Sequence, residues 1–276
     1  MLTLDIASSD RDATRRLLAD GLGLAADGSD RYPLGGIVLV VHDPGDDGRT
    51  GPSLLTVHAD DPAPLTDALA GAGHPAGDDG RVTVRGVALR VTAESAGAPG
   101  PLPDGIIGLD HVGIATGDSD TLVAALGALG FAHESRQIDT QLATPTEVFA
   151  SDRYGVVTHA GQPIQDGALL VTFLRRGGAD VELLEDISTS EGRPGEGPGS
   201  TTGDNRAISR FVARTGGGLH HVAFRVDDIE SRLDGLRKAG VGLLDRHGRP
   251  GSRRSRIAFA DRRTTGGLVL HLVERP

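Results

Sequence analysis

The sequence predicts an α+β fold: tandem βαβββ units forming two modules of curved mixed sheet, with the helices on the outside. Three observations predict it. The segment Gly108-Leu109-Asp110-His111-Val112 returns as Gly218-Leu219-His220-His221-Val222, and the match stays in phase at Asp118 and Asp228, Leu126 and Leu236, and Gly130 and Gly240;. Each copy runs from an alternating strand through an Asp-bearing turn into an amphipathic helix that ends at glycine. A fainter echo lies upstream, where Asp60, Leu69 and Gly73 fall in step with Asp227, Leu236 and Gly240. Such a unit covers one sheet face with its own helix and needs a second copy to bury the other.

The elements follow in order. Leu2–Ala7 reads as a strand, Asp10–Gly21 as a helix and Gly36–Val41 as a strand. Ser53–Ala59 is a strand, Asp61–Gly73 a helix, and Arg81–Thr92 closes the first module. The Ala, Gly and Pro of Ala93–Pro103 read as a linker, so one module is expected over 1–100 and a second over 104–276;. In the second, helices are expected at 119–129 and 228–239, and strands at Ala168–Arg175, Asp180–Glu185, Arg256–Ala260 and Gly267–Val273. Residues 136–167 carry little pattern and read as a candidate lid. Asp186–Asn205, rich in Gly, Ser, Thr and Pro, reads as a hinge between the two units.

Composition narrows the function classes. A net charge of −10 and an aromatic share of 3% argue against binding nucleic acid;. Without cysteine there is no disulfide, thiolate zinc site, iron–sulfur cluster or cysteine nucleophile;. No apolar run approaches the ~18 residues of a membrane span. Met1–Asp10 lacks a basic start followed by an apolar stretch, so no membrane partner and a cytoplasmic location are expected;.

Strand alternation brings out one constellation. In the strand at 109–115, Val112 and Ile114 share a face and His111 takes the other;. His221 lies opposite Val222, Phe224 and Val226, and His271 opposite Leu268, Leu270 and Leu272. Glu182 lies opposite Val181 and Leu183, a parity that sets Glu185 on the other face. Four strands thus each offer an imidazole or carboxylate away from the helix-facing aliphatics. That donor set suits one divalent ion, Fe, Mn, Co, Ni or Zn, and leaves one or two positions open on an octahedral ion for a substrate oxygen.

The other histidines, His42, His58, His74, His133, His159 and His247, read as structural, and His220 as a packing or hydrogen-bonding residue on the face opposite His221. Asp227-Asp228 reads as a helix cap. Arg253, Arg254 and Arg256 read as a solvated hairpin, with an anion clamp as the alternative. Arg225 shares the face of His221 and is a candidate partner for an anionic substrate group or for Glu182. The matching positions of the first module, Thr3 or Leu4, Leu39 or Val40, Leu54 and Arg90, make no metal site, so that module is expected to be degenerate.

Leu-Asp-His-Val-Gly-Ile-Ala and Gly-Leu-His-His-Val-Ala-Phe resemble the strand openings of the vicinal oxygen chelate (glyoxalase/bleomycin resistance/dioxygenase) superfamily. Within it, residues 106–275 most resemble methylmalonyl-CoA epimerase. The matching runs are Gly177-Gly178-Ala-Asp-Val-Glu182, Gly218 to Ile229, and Arg249 to Ser252 with Arg256-Ile-Ala-Phe and Thr265 to His271. The resemblance implies metal ligands at His111, Glu182 and His221. His271 stands where relatives usually carry Glu, which makes the site more positive by a unit charge and should strengthen its Lewis acidity. The catalytic Glu of the epimerases has no match here. Gln165 and Asp166 stand in its place, and Asp166 is the candidate acid or base.

The expected function is therefore a divalent-metal-dependent epimerase or isomerase that stabilises an enolate of a small carbonyl or acyl-thioester substrate, with a homodimer as a candidate assembly. One alternative is an Fe(II) ring-cleaving or ketoacid dioxygenase, since Thr201–Phe224 is similar to the aromatic-ketoacid enzymes. Another is a small-molecule-binding resistance protein.

Overall fold

The computed structural model describes residues 1–28, 30–143, 146–153, 155–162, 164–188 and 203–276, without the side chains of 141–143, 146–147, 149, 159, 164–166 and 203–206. The first sheet collects β1 (Leu2–Ala7), β2 (Arg31–Leu34), β3 (Ile37–His42), β4 (Gly51–His58), β5 (Arg81–Val84) and β6 (Val87–Thr92) in the order β2-β3-β1-β4-β6-β5. Its helices are α1 (Arg11–Arg15), prolonged by a π-helical turn over Arg16–Gly21, and α2 (Ala63–Gly71).

The second sheet is built from β7 (Ile106–Ala115), β8 (Ala132–Ala143), β11 (Ile164–Arg176), β12 (Ala179–Asp186), β13 (Gly218–Val226), β14 (Arg249–Pro250), β15 (Arg256–Phe259) and β16 (Leu270–Glu274). Its order is β14-β15-β16-β13-β7-β12-β11-β8. β9 (Thr146–Ser151) and β10 (Gly155–Ala160) pair with each other in a two-stranded sheet. Helices α3 (Ser119–Ala128), α4 (Gly203–Thr215) and α5 (Ile229–Lys238) complete the module. Each half of this sheet is a βαβββ unit: β7, α3, β8, β11, β12 and β13, α5, β14, β15, β16. The units of the first sheet are one strand shorter. In both sheets the opening strands of the two units, β1 with β4 and β7 with β13, meet antiparallel at the centre.

The aspartates that punctuate the repeat are helix caps. Asp118 accepts from the backbone N of Thr121, Asp228 from Glu230 and Ser231, and Asp10 from Ala13;. Behind the caps the alternating aliphatics close one continuous core, with Leu4, Leu69, Val112, Leu126, Leu183, Val222, Leu236 and Leu270 all buried. The modules touch backbone to backbone. A Cβ on Gly86 (φ +79°) would lie 2.5 Å from the carbonyl O of Gly217, so the junction needs glycine there;.

One expectation changes, and another falls mostly outside the described residues. Residues 136–143 and 164–167 lie in the long antiparallel strands β8 and β11, and 146–151 with 155–160 form the β9–β10 hairpin, so strands run where little pattern was expected. Of the expected hinge 186–205, residues 189–202 lie outside the described residues; the rest closes β12 and opens α4. Among the described residues no helix is long and apolar enough to cross a membrane.

Candidate metal centre

The four residues singled out from the sequence lie on four adjacent strands, in the order His271 on β16, His221 on β13, His111 on β7 and Glu182 on β12. The register sets them in two tiers. Ala223 is paired with both His111 and His271, and Gly113 with both His221 and Glu182. Each tier thus places a small residue between two large polar ones, which leaves room for the rings to lean together. Ala223 is the repeat equivalent of Gly113. All four side chains are buried on one face.

They converge. His111 Nε2 lies 3.1 Å from His221 Nε2 and 3.2 Å from Glu182 Oε2, and His221 Nε2 lies 3.5 Å from the same oxygen. The candidate ligand atoms of His111, His221 and His271 all fall within 4.8 Å of one another. Burial works against a charged His111, yet the Glu182 carboxylate and the Asp110 hydrogen bond push its pKa up to about 9;. Burial likewise raises the cost of charge on Glu182, but His111 and His221 outweigh it and hold the carboxyl well below the ordinary range. His271 is held far below the usual imidazole value by burial, reinforced by the charges of His221 and His111.

His271 tests whether a metal fits. Both its ring nitrogens are buried, and among the described residues neither has a hydrogen-bond partner. A buried polar atom left so costs about 1–3 kcal/mol, and native proteins avoid it. The ligand atom of His271 lies within 4.8 Å of those of His111 and His221, and Glu182 Oε2 stands 3.2 and 3.5 Å from the same two rings. The donor set fits a divalent ion of the Fe to Zn series.

A second layer orients the first. Asp110 Oδ1 accepts from His111 Nδ1 at 2.7 Å, and Arg275 clamps that carboxylate through Nε (2.8 Å) and Nη2 (2.6 Å);. Burial alone would raise the Asp110 pKa, but His111 and Arg275 together hold it below the carboxylate range. His220 departs from the expected face. β13 carries one extra residue between Leu219 and His221 where it pairs with Ile114 and Gly113, and the extra residue is His220;. The bulge breaks the alternation and sets His220 Nδ1 3.0 Å from His221 Nδ1, edge-on to Phe211. Burial, then His221, pulls the His220 pKa down to about 3.

The centre opens into a cavity of about 1760 Å³ lined by both modules, with Leu54 and Arg81 on one side and the histidines, Phe173 and Phe259 on the other. Helix α4, which the sequence did not suggest, walls it with Ile208 and Phe211. Of the arginine cluster, Arg256 pairs with Glu274 and Glu230, and Arg253 pairs with Glu134 and stacks 3.4 Å over Phe173. Arg254 lines the cavity with no carboxylate partner among the described residues. Arg225 instead lines a neighbouring cavity of about 430 Å³, because four residues along a strand carry it about 13 Å from His221;. Glu185 accepts from the backbone N of Ser119 at the start of α3, and so belongs to the helix layer. The backbone of Asp166 runs in β11, and its side chain lies outside the described residues.

The same architecture occurs in other proteins. A mutant of 4-hydroxymandelate synthase from Streptomyces coelicolor superposes on 99% of this chain and 91% of its own, with TM-score 0.62 and 18% identity, so the two-module fold is common to both. Methylmalonyl-CoA epimerase from Mycobacterium tuberculosis is 24% identical, covering 62% of this chain and 90% of its own at TM-score 0.43. An uncharacterized protein of Bacillus subtilis (strain 168), YqjC, is 28% identical over 113 residues, which is 41% of this chain and 70% of its own. A sequence profile matches residues 110–259, a span holding His111, Glu182 and His221. By that match, over more than half its length, the chain belongs to the Glyoxalase/Bleomycin resistance protein/Dioxygenase superfamily.

Proposed function

We propose that the protein is a divalent-metal-dependent epimerase or isomerase of a small carbonyl or acyl-thioester substrate, with His111, Glu182, His221 and His271 holding the ion. The observation that carries this reading is a buried trio of imidazoles, His111, His221 and His271, whose ligand atoms lie within 4.8 Å of one another, with Glu182 3.2 and 3.5 Å from two of them. Four protein ligands leave at most two positions on an octahedral ion, enough for a substrate that binds through two oxygens. An oxygenase must seat dioxygen as well and commonly keeps only two histidines and one carboxylate. The bound ion would supply Lewis acidity to a substrate carbonyl, lowering the cost of removing a proton from the adjacent carbon. The chain's own residues do the rest. Asp110 and Arg275 fix the orientation of His111, and Phe173 and Phe259 keep the ligand rings out of water. Asp166 is proposed as the acid or base.

The test is proton exchange. Protein loaded in turn with Fe(II), Mn, Co, Ni or Zn is incubated in deuterium oxide with a panel of 2-acyl thioesters and keto-sugars, and deuterium uptake is read by NMR. The reading expects metal-dependent exchange that His221→Ala and His271→Ala abolish. Oxygen uptake by the iron form without exchange on any substrate would instead assign an oxygenase.

A further inference from the structure

Asp110 and His220 are equivalent in the sequence repeat, and the structure makes them equivalent again. Each is the extra residue of a bulge in the antiparallel pair β7–β13. Between Leu109 and His111 the strand β7 advances two residues while β13 moves one, from Phe224 to Ala223; between Leu219 and His221 the roles reverse;. Each bulge aims its side chain at the Nδ1 of the histidine that follows, at 2.7 Å for Asp110 and 3.0 Å for His220. The Nε2 atoms of those two histidines face each other and Glu182.

That arrangement dictates a tautomer. A ring nitrogen that binds a metal must present a lone pair, so with Nε2 turned inward the ring proton of His111 and of His221 sits on Nδ1. Asp110, an acceptor only, enforces this for His111. Beside His221 the partner is a second imidazole, which can accept at Nδ1 while carrying its own proton on Nε2. We propose that His220 is the positioning residue that fixes His221 as its Nδ1–H tautomer, the neutral counterpart of Asp110. The two repeat-related ligands then have unequal outer shells. His111 is backed by a carboxylate clamped by Arg275, and His221 by a neutral ring resting edge-on against Phe211 of α4, 4.8 Å between centroids. His221 is accordingly the weaker donor of the pair.

The inference rests on the reading of the four residues as metal ligands. Its test uses the full chain with one equivalent of Zn(II). Long-range ¹H–¹⁵N correlation reads the histidine tautomers, and a chromophoric chelator reads zinc affinity in the wild type, His220→Leu and His220→Asn. In Asn the side-chain oxygen stands where Nδ1 of histidine stood. The expected result is a wild-type His221 metallated at Nε2 with its proton on Nδ1, a 10–100-fold loss of zinc affinity in His220→Leu, and recovery to within a few-fold of wild type in His220→Asn. A His221 bound through Nδ1, or undiminished affinity in His220→Leu, would overturn it while leaving the metal centre intact. A wild type that holds no zinc would overturn the centre itself, and this inference with it. Should the leucine variant misfold, the His220 ring in the wild-type spectrum decides: the inference requires its proton on Nε2, and a His220 protonated on Nδ1 would overturn it.

Discussion

Gly113 and His221 share one space across two strands. A Cβ on Gly113 would lie 2.0 Å from Cε1 of His221 and within 2.4 Å of both ring nitrogens. The imidazole lies across the glycine because Gly113 is its cross-strand partner and offers no side chain to stand in the way. Ala223, paired with His111 and His271, makes the same kind of room in the neighbouring tier and is fully buried. The two ligand pairs lean inward over the two smallest side chains available.

Gly113→Ala should therefore damage the site more than the fold. Gly113 does not need positive φ, so the backbone accepts alanine, and the three atoms nearest the added methyl all belong to the ring. The expected cost is about 1–3 kcal/mol of stability from overpacking. Loss of metal affinity should be far larger, on the order of 100-fold, since the ring cannot keep its place. Urea unfolding beside a zinc competition titration separates the two, and unchanged affinity would mean that His221 does not bind through this pose.

Asp110→Asn keeps the shape of the Asp110 side chain and removes its charge. The Arg275 clamp then loses its anion and His111 loses the carboxylate that holds its Nδ1 proton. Metal affinity is expected to fall 10–100-fold. Arg275→Gln should produce a smaller fall in the same direction, because Asp110 still reaches His111. Competition titrations of both variants check the ranking; a larger loss in Arg275→Gln would mean that the arginine acts on the site directly.

Much of this was legible in the sequence, for a physical reason. A repeat fixes both register and face, so His111 and His221 announce each other, and strand parity was enough to add Glu182 and His271. The caps Asp118 and Asp228 were legible because the N–H groups of a first helical turn demand an acceptor. What escaped had no periodic signature. The true face of His220 is hidden because a bulge adds a residue without altering the apolar pattern around it. Helix α4 is hidden because its start lies in a stretch rich in Gly, Ser and Thr, and it packs only one face, with Ile208 and Phe211, against the sheet. The roles of Gly113 and Ala223 are invisible because a small residue signals nothing until its neighbour across the strand is known.

His271→Leu should stabilise the metal-free protein. The wild-type ring buries two nitrogens without a partner among the described residues, and a leucine of similar volume removes that cost, about 1–3 kcal/mol;. With chelator present, the variant should unfold at higher urea than the wild type. With zinc added, the order should reverse, because the ion stabilises the wild type by mass action and the variant has lost a ligand. A variant less stable than wild type in chelator would indicate that His271 serves packing rather than metal.

The last prediction concerns the first module and runs on pH. Asp30 accepts two bonds from Arg15, at 2.6 and 2.8 Å, and another from Arg11, which together hold its pKa down to about 2 against an opposing effect of burial. A carboxyl depressed in the folded state adds stability above its unfolded pKa, and that stability is lost as the pH falls through the folded one. The contribution should thus be complete above about pH 5 and decay toward pH 2. The guanidinium side chains are 36% and 44% exposed, so solvent screening reduces it to the order of 1 kcal/mol;. Asp30→Asn should be less stable than the wild type by that amount at pH 7, and the gap should narrow steadily in urea titrations between pH 5 and pH 3. A gap that stays constant over that range would assign the loss to the acceptor oxygen that asparagine lacks and not to the charge.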